Sequence, residues 1–463
     1  MRSNADEKAL LAAAEIGRRI GPDKVVDDPD LLAPYGADES GLPPRVPPAA
    51  IRAESADDVA ATLEVAERRR VAVTPRGRGT GKSGGAVPVE GGLVLLTERM
   101  DRIVEIDRRE RIAVVQPGIV LGRFHDAVEA EGLFYPPDPA SLDSCAVGGN
   151  VAENAGGPRA FKYGVTREYV LGLEVVTMGG TRMRVGRRTA KGVMGYDVTA
   201  LLVGSEGTLG VFTEVTLRLR SRPAATRTML ATFADVVAAG EAVQDLLGLG
   251  LVPSAIEILD RTCIEAIRTA GPNPIPEGAG AVLIVEVDGR DPAQVDADAQ
   301  AAGSALAERA ADVLIASDPG RRKALWTARR ELSETLGKGR LGKLSDDVAV
   351  PRTAIPAVLR RLAEVGERRG VTMATYGHAG DGNLHVNALW DDPALEAAAR
   401  GAIEDAMRIA LEHGGTLSGE HGVGAAKRAY LAWEQGTPLI DLQRRLKAAF
   451  DPLGLMNPGK LLP

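Results

Sequence analysis

A mixed α+β chain of two domains and a short closing segment is what this sequence predicts, and three observations predict it. From Ile51 onward, strand and helix patterns follow one another. Near Arg222-Pro223 the texture changes to alanine-rich helices between buried strands. Glycines gather at 77–92, 148–164, 204–210, 377–382 and 414–424, which marks turns or backbone brought close to a ligand. The divisions drawn are 1–50 for an N-terminal helix and proline-rich lead-in, 51–222 and 223–415 for the two domains, and 416–463 for the closing segment.

Residues 5–20, rich in Ala, Leu, Glu and Arg, predict a helix, and the prolines at 43–48 then break any regular structure. Asp57 and Asp58 open an amphipathic helix to about Arg70, since acidic groups suit a helix start. Short apolar runs at 71–74, 92–96, 103–106, 112–115, 171–177, 182–185 and 209–219 predict strands, with a helix at 121–131. Beyond 222, helices are expected at 235–248, 292–311, 353–369 and 393–412. Strands are expected at 281–287 and 313–316, with 372–375 and 384–389 as a pair. A last helix falls at 437–450, and no internal sequence repeat is visible.

Composition excludes several classes. A net charge of −7 with 26% charged residues gives no basic stripe for nucleic acid. The start, Met1-Arg2-Ser3-Asn4-Ala5-Asp6-Glu7-Lys8, is too charged for a signal peptide, and no apolar run reaches the roughly 18 residues of a spanning helix. The chain reads as cytoplasmic, with peripheral attachment at the inner face of the membrane as a variant. Two cysteines, Cys145 and Cys263, cannot build a Cys₄ iron–sulfur cluster or a disulfide framework, and both read as small buried apolar residues.

Residues 75–85, Pro-Arg-Gly-Arg-Gly-Thr-Gly-Lys-Ser-Gly-Gly, contain Gly81-Lys82-Ser83, which invites a P-loop reading. That motif needs a glycine where Arg76 stands and a helix where Gly84-Gly85-Ala86-Val87-Pro88 comes next, so it is rejected. The same residues suit an anion nest at a sheet edge, in which successive glycines turn several N–H groups toward one diphosphate. A second cluster runs from Pro136 to Gly157 and a third from Gly204 to Gly210; neither matches the dinucleotide fingerprint.

Only five histidines occur, and three fall in His378-Ala-Gly-Asp-Gly-Asn-Leu-His385 and Gly419-Glu420-His421-Gly422. Two imidazoles and a carboxylate from separate segments suit a divalent metal with open positions, and a third imidazole suits a base near neutral pH. With glycine loops for a phosphate-bearing cofactor upstream, the set suggests an oxidoreductase. His125 and His413 lack such partners and read as structural.

Taken together, Pro75 to Gly85, Pro137 to Gly157, Gly204 to Gly210, His378 to Asn387, Gly419 to Gly422 and the Asn457-Pro458 tail resemble the flavin-dependent enzymes of the vanillyl-alcohol oxidase type. The likeness is to the branch holding the glycolate oxidase flavin subunit, D-lactate dehydrogenases and D-2-hydroxyglutarate dehydrogenase, and it runs from about Ile51 to Pro463. It implies a two-subdomain FAD-binding domain, an α+β ferredoxin-like substrate cap and a C-terminal helical segment that completes the active site. FAD would be non-covalent, because residues 75–90 hold no histidine. Its diphosphate would lie on Gly77, Arg78, Gly79, Thr80 and Gly81 with Ser83, flanked by Arg76 and Gly84. Its isoalloxazine would lie near Pro139, Gly148, Gly149 and Gly156, with Val211 at the adenine side and Ser144 and Asn154 also binding the cofactor.

The same resemblance implies a metal (zinc, manganese or iron) on His378, His385 and Glu420, with His421 as base. Arg329 in Trp326-Thr-Ala-Arg329 would pair the substrate carboxylate, and Asn387 would touch the substrate. Lys343 is a weaker candidate for pairing that carboxylate, Arg330 and Lys343 both read first as solvated surface charges, and Asp381 reads as a group holding its turn or orienting a ligand. The implied reaction oxidises a D-2-hydroxy acid, D-lactate or glycolate ahead of D-2-hydroxyglutarate, to the 2-keto acid. Electrons then leave to a quinone, cytochrome, electron-transfer flavoprotein or partner subunit; a homodimer is allowed. The alternatives are a flavin subunit of a multi-subunit glycolate oxidase and, further off, a metal-dependent hydrolase, for which the glycine loops have no purpose.

Overall fold

Two sheets build the N-terminal half. The computed structural model describes residues 4–316 and 319–463, so the reading of Met1–Ser3 lies outside the described residues. The first sheet has four strands in the order Val25–Val26, Ala49–Arg52, Leu93–Leu96, Val73–Arg76, with the last three parallel. Helices Asn4–Ile20 and Ala56–Arg69 bury Ala12, Ile16, Val59 and Leu63 against it. Ser55 caps the second helix by accepting from Asp58 N at 3.1 Å, and Arg70 ends it in the left-handed region, φ 55°.

Five antiparallel strands form the second sheet, ordered Ile103–Asp107, Ile112–Val115, Val211–Arg218, Val170–Val176, Arg182–Gly186. Its core includes Val115, Phe124, Tyr135, Leu173 and Val215. The strand Val73–Arg76 pairs on one side only within its sheet, so the glycine loop after it does leave from a sheet edge. No helix comes directly after that loop.

The cap is one seven-stranded antiparallel sheet. In chain order its strands are Ala225–Phe233, Ala255–Asp260, Ala281–Gly289, Asp312–Ile315, Gly342–Ala349, Thr372–His378 and Asn383–Trp390. Across the sheet they run fourth, first, third, second, sixth, seventh, fifth. With helices Val236–Gly248 and Pro292–Ala307, the first four strands make a β-α-β-β-α-β unit of the ferredoxin-like kind, extended by helix Arg261–Ala270. The fifth to seventh strands with helices Ile355–Arg369 and Glu396–Glu412 repeat that path, and Thr416 bridges Ala349 where a fourth strand would run. The duplication is of topology, and it joins at the second and sixth strands.

Period-two alternation divides the work of this sheet. Ile256, Ile258, Leu384, Val386 and Ala388 face the four long helices and form the main cap core. Their neighbours Glu257, His385 and Asn387 point to the opposite face, beside helices Pro319–Arg330 and Leu332–Gly337. Three of the seven strands were not legible. Gly342–Ala349 reads Gly-Lys-Leu-Ser-Asp-Asp-Val-Ala, too polar for a strand signal, because its inward groups serve the site.

Beyond the cap the chain returns to the first sheet. Met456 bridges Val73 in parallel and is fully buried, and Asn457 N donates to Val73 O at 2.7 Å. Asn457 Nδ2 also donates to Gly85 O at 3.0 Å and Glu206 O at 2.8 Å, so the tail ties the first glycine loop to the third.

Candidate active site

One cavity runs from the glycine loops to the cap sheet. Of the residues singled out from the sequence, Arg76, Gly77, Arg78, Gly79, Thr80, Gly81, Pro139, Ser144, Gly148, Gly149 and Val211 line it from the cofactor-domain side. Arg329, His378, His385, Glu420 and His421 line its other end. Ser83 and Gly84 stand behind the loop instead: Ser83 Oγ donates to Glu153 Oε1 at 3.1 Å, and its carbonyl accepts from Ala425 and Ala426. Asn154 is likewise outside the lining, ending helix Val147–Glu153 at φ 58° and accepting from Arg167 N at 2.8 Å. Gly156 packs under the metal-site loop, where a Cβ would come within 2.8 Å of Glu420 Oε2. Asn387 is fully buried within the sheet; its Nδ2 donates to Ala374 O at 3.2 Å.

Close approach explains the glycines that matter most. Gly79 sits at φ +72° over the Arg76 guanidinium, and a Cβ there would collide with it. Arg76 is itself buried, donating to Ala37 O at 2.7 Å and Pro34 O at 3.0 Å, so it fastens the loop to the lead-in segment. A Cβ on Gly148 would lie 2.5 Å from Pro117 Cβ. Two glycines in its first turn hid helix Val147–Glu153 from the sequence reading.

At the cap end, ring nitrogens converge on one carboxylate oxygen. Glu420 Oε1 lies 3.4 Å from His378 Nε2 and 3.5 Å from His385 Nε2, and a donor atom from each residue falls within 4.8 Å of the others. Two imidazoles and a carboxylate, buried and open to the cavity, fit a divalent cation. His421 stacks on His385 with ring centroids 5.2 Å apart. Its Nδ1 lies 3.2 Å from Asp347 Oδ1, which leaves Nε2 free to meet a substrate.

Two buried carboxylates missed in the sequence organise this end. Glu257 lies 2.5 Å from His378 Nδ1 through one oxygen and accepts from Arg329 Nε at 2.5 Å through the other. Asp347 Oδ2 accepts from the backbone N–H groups of Gly419, Glu420 and His421 at 2.7, 2.6 and 3.1 Å, and Lys427 Nζ donates to its Oδ1 at 2.8 Å. A lone acid within the apolar run Ala255-Ile-Glu-Ile-Leu was the available signal for the first. Glu206 holds the same closing loop from the cofactor side, accepting from Val423 N at 2.8 Å and Gly424 N at 2.6 Å.

Charges follow from these contacts. Burial opposes ionisation of Glu420, but His378, His385 and His421 hold its pKa down to about 2. Burial also opposes charge on His378, and Glu257 with Glu420 overcomes it, raising that imidazole well above its ordinary value. His385 goes the other way: burial, with His421 and His378 adding positive charge, pushes it well below. Asp347 is buried too, yet His421 and Lys427 keep it well below the usual carboxylate range.

The remaining expectations divide. His125 contacts Pro137 O at 3.0 Å and His413 contacts Ile409 O at 2.8 Å, both structural. Asp381 holds its turn by accepting from Asn383 N at 3.2 Å. Arg330 is exposed. Lys343 is a correction: it is no solvated charge but half-buried, donating to Ser333 Oγ at 3.1 Å, and burial pushes its pKa down to about 8.

Comparison with known proteins gives the family of the chain. Residues 47–186 match the family described as FAD binding domain, and residues 222–461 match FAD linked oxidases, C-terminal domain. The chain is 38% identical over 449 residues to "Glycolate oxidase subunit GlcD" of Bacillus subtilis, covering 95% of this chain and 94% of that one. It is 32% identical over 455 residues to "D-lactate dehydrogenase" of Anaerostipes hadrus, covering 96% of each. It is 33% identical over 462 residues to "D-2-hydroxyglutarate dehydrogenase" of Stutzerimonas stutzeri, covering 96% and 98%. The solved structure of p-cresol methylhydroxylase with substrate bound shares the fold, at TM-score 0.82 and 18% identity over 98% of this chain and 96% of that one.

Proposed function

The chain belongs to the FAD-linked oxidases of the vanillyl-alcohol oxidase type, and from that premise we propose that it oxidises a D-2-hydroxy acid to the 2-keto acid. D-lactate or glycolate is the favoured substrate. One observation carries the reading: His378, His385, Glu420, His421 and Arg329 meet in the cavity that the glycine loops line. When bound, FAD supplies the acceptor for the hydride, and a zinc, manganese or iron ion on His378, His385 and Glu420 supplies a Lewis acid that acidifies the hydroxyl.

The chain's own residues do the rest. Asp347 fixes His421 through Nδ1, so His421 Nε2 takes the hydroxyl proton. Arg329, held by Glu257 and set over the Tyr376 ring at 4.6 Å, presents its guanidinium to the substrate carboxylate. Its Nη2 is buried without a partner among the described residues, as a group awaiting an anion would be. FAD is non-covalent in this reading, carried by the loop from Arg76 to Gly81 and by Pro139, Ser144, Gly148 and Gly149.

Electrons then pass to an external acceptor, a quinone, cytochrome, electron-transfer flavoprotein or partner subunit. A relative described as a subunit of glycolate oxidase favours the last of these. Among the described residues no helix is long and apolar enough to cross a membrane. The test is anaerobic: purified yellow protein is mixed with D-lactate, glycolate or D-2-hydroxyglutarate, before and after chelation. Bleaching by one acid, lost on chelation, is expected; no bleaching by any acid returns the chain to a role as a flavin-bearing subunit without its own chemistry.

A further inference from the structure

Three spaces succeed one another along helix Pro319–Arg330, through shared walls. Pro158 and Arg330 line both the main cavity and a smaller one beside it. That smaller space shares Arg159, Glu286 and Arg322 with an outer cleft of about 780 Å³ between the cofactor domain and the cap. Arg222 and Arg227 flank the cleft.

The two outer spaces have more cationic than anionic side chains in their walls. They carry Arg159, Arg222, Arg227, Arg322, Lys323 and Arg330 against Glu129, Asp138, Glu286 and Asp288. Each carboxylate is already engaged: Glu129 by Arg222 at 3.4 Å, Asp138 by Arg159 at 3.3 Å, Glu286 by Arg322 at 2.9 Å and Asp288 by Lys162 at 2.6 Å. Lys323 and Arg330 are exposed and have no carboxylate partner among the described residues. A second space also reaches the metal end, behind Glu420, but its only cation is Lys427, which is already held by Asp347 at 2.8 Å, so it offers an anion no free positive charge among the described residues.

We propose that the passage beside helix Pro319–Arg330 is the route by which a small carboxylate substrate enters and its product leaves, steered by Arg330 and Lys323. The inference rests on the reading above: FAD takes the length of the cavity along the glycine loops, so the acid needs another way to Arg329. Fixed positive charge in a walled passage raises the arrival rate of anions and acts little once they are bound.

The test uses FAD-loaded protein and oxalate, an unreactive dianion whose binding is read from flavin absorbance in a stopped-flow instrument. Arg330→Glu and Lys323→Glu change charges outside the residues assigned to cofactor, metal or substrate. Unchanged FAD content and melting temperature keep folding out of the comparison. At low ionic strength each variant should lower the association rate constant by about tenfold, with dissociation unchanged. The gap should close by about 0.5 M salt, where screening is nearly complete. Equal association rates at low salt, or an effect confined to dissociation, overturns the proposal. Salt-dependent oxalate entry without flavin reduction by any hydroxy acid would overturn the substrate reading and leave the passage standing.

Discussion

Glu257 and His378 face each other across the seam between the cap's two halves, with Glu257 Oε1 2.5 Å from His378 Nδ1. Because the other carboxylate oxygen takes Arg329, one fully buried acid sets both a candidate metal ligand and the candidate substrate clamp.

Replacing Glu257 by Gln keeps the shape and removes the charge. Metal affinity should fall by about 10–100-fold, the usual effect of losing a carboxylate behind a ligating imidazole. Titration of metal-free protein, followed by elemental analysis, checks this. Glu257→Ala should instead destabilise the fold by about 3–5 kcal/mol, because Arg329 is left buried without its partner.

His421→Ala should retain FAD and metal but reduce the rate of flavin reduction by about two or more orders of magnitude. Near-normal reduction would remove His421 from the chemistry.

Metal uptake should release protons. Without metal, Glu257 and Glu420 overcome burial and raise the pKa of His378 well above its ordinary value, which favours its protonated form. A cation on Nε2 displaces that proton, so about one proton should leave per ion bound, and affinity should rise with pH. Calorimetry in two buffers of different ionisation enthalpy reads the number directly.

Lys460 predicts an alkaline effect. Burial pushes its pKa down to about 8 from an ordinary 10.5, while its Nζ donates to Val87 O at 2.5 Å. Between those values the unfolded chain binds more protons than the folded one, so stability contributed by this site rises with pH through that window. Denaturant midpoints from pH 8 to 10 should rise less in Lys460→Met than in the parent.

Gly79→Ala should cost the protein its FAD. The added methyl meets the Arg76 guanidinium at a positive φ, so the backbone is strained and either the loop shifts or Arg76 leaves Ala37 O and Pro34 O. Flavin released on gel filtration measures the loss; normal retention would show that the loop tolerates the shift.

Much of the site was legible because its chemistry is concentrated in short segments. His378, His385, Glu420 and His421 stand in two glycine-flanked blocks, and the structure brings all four into one cavity. What stayed hidden acts across the fold. Glu257 lies 121 positions from His378, and Asp347 lies 73 from Glu420, so neither partnership leaves a local pattern. Lys343 looked like a surface charge because sequence carries no record of the helix that half-covers it. The second strand of the cap was missed for the same reason that makes it important: an inward acid interrupts its apolar run.

The pairing of Asn457 with the first glycine loop spans 372 positions. During synthesis the strand carrying that loop is therefore made long before its neighbour exists, and its raw edge has to wait. A fragment holding only residues 47–222 would keep that edge bare, so it should clump rather than bind flavin. The two matched regions are separable as sequence patterns, yet the tail of the second completes the edge of the first.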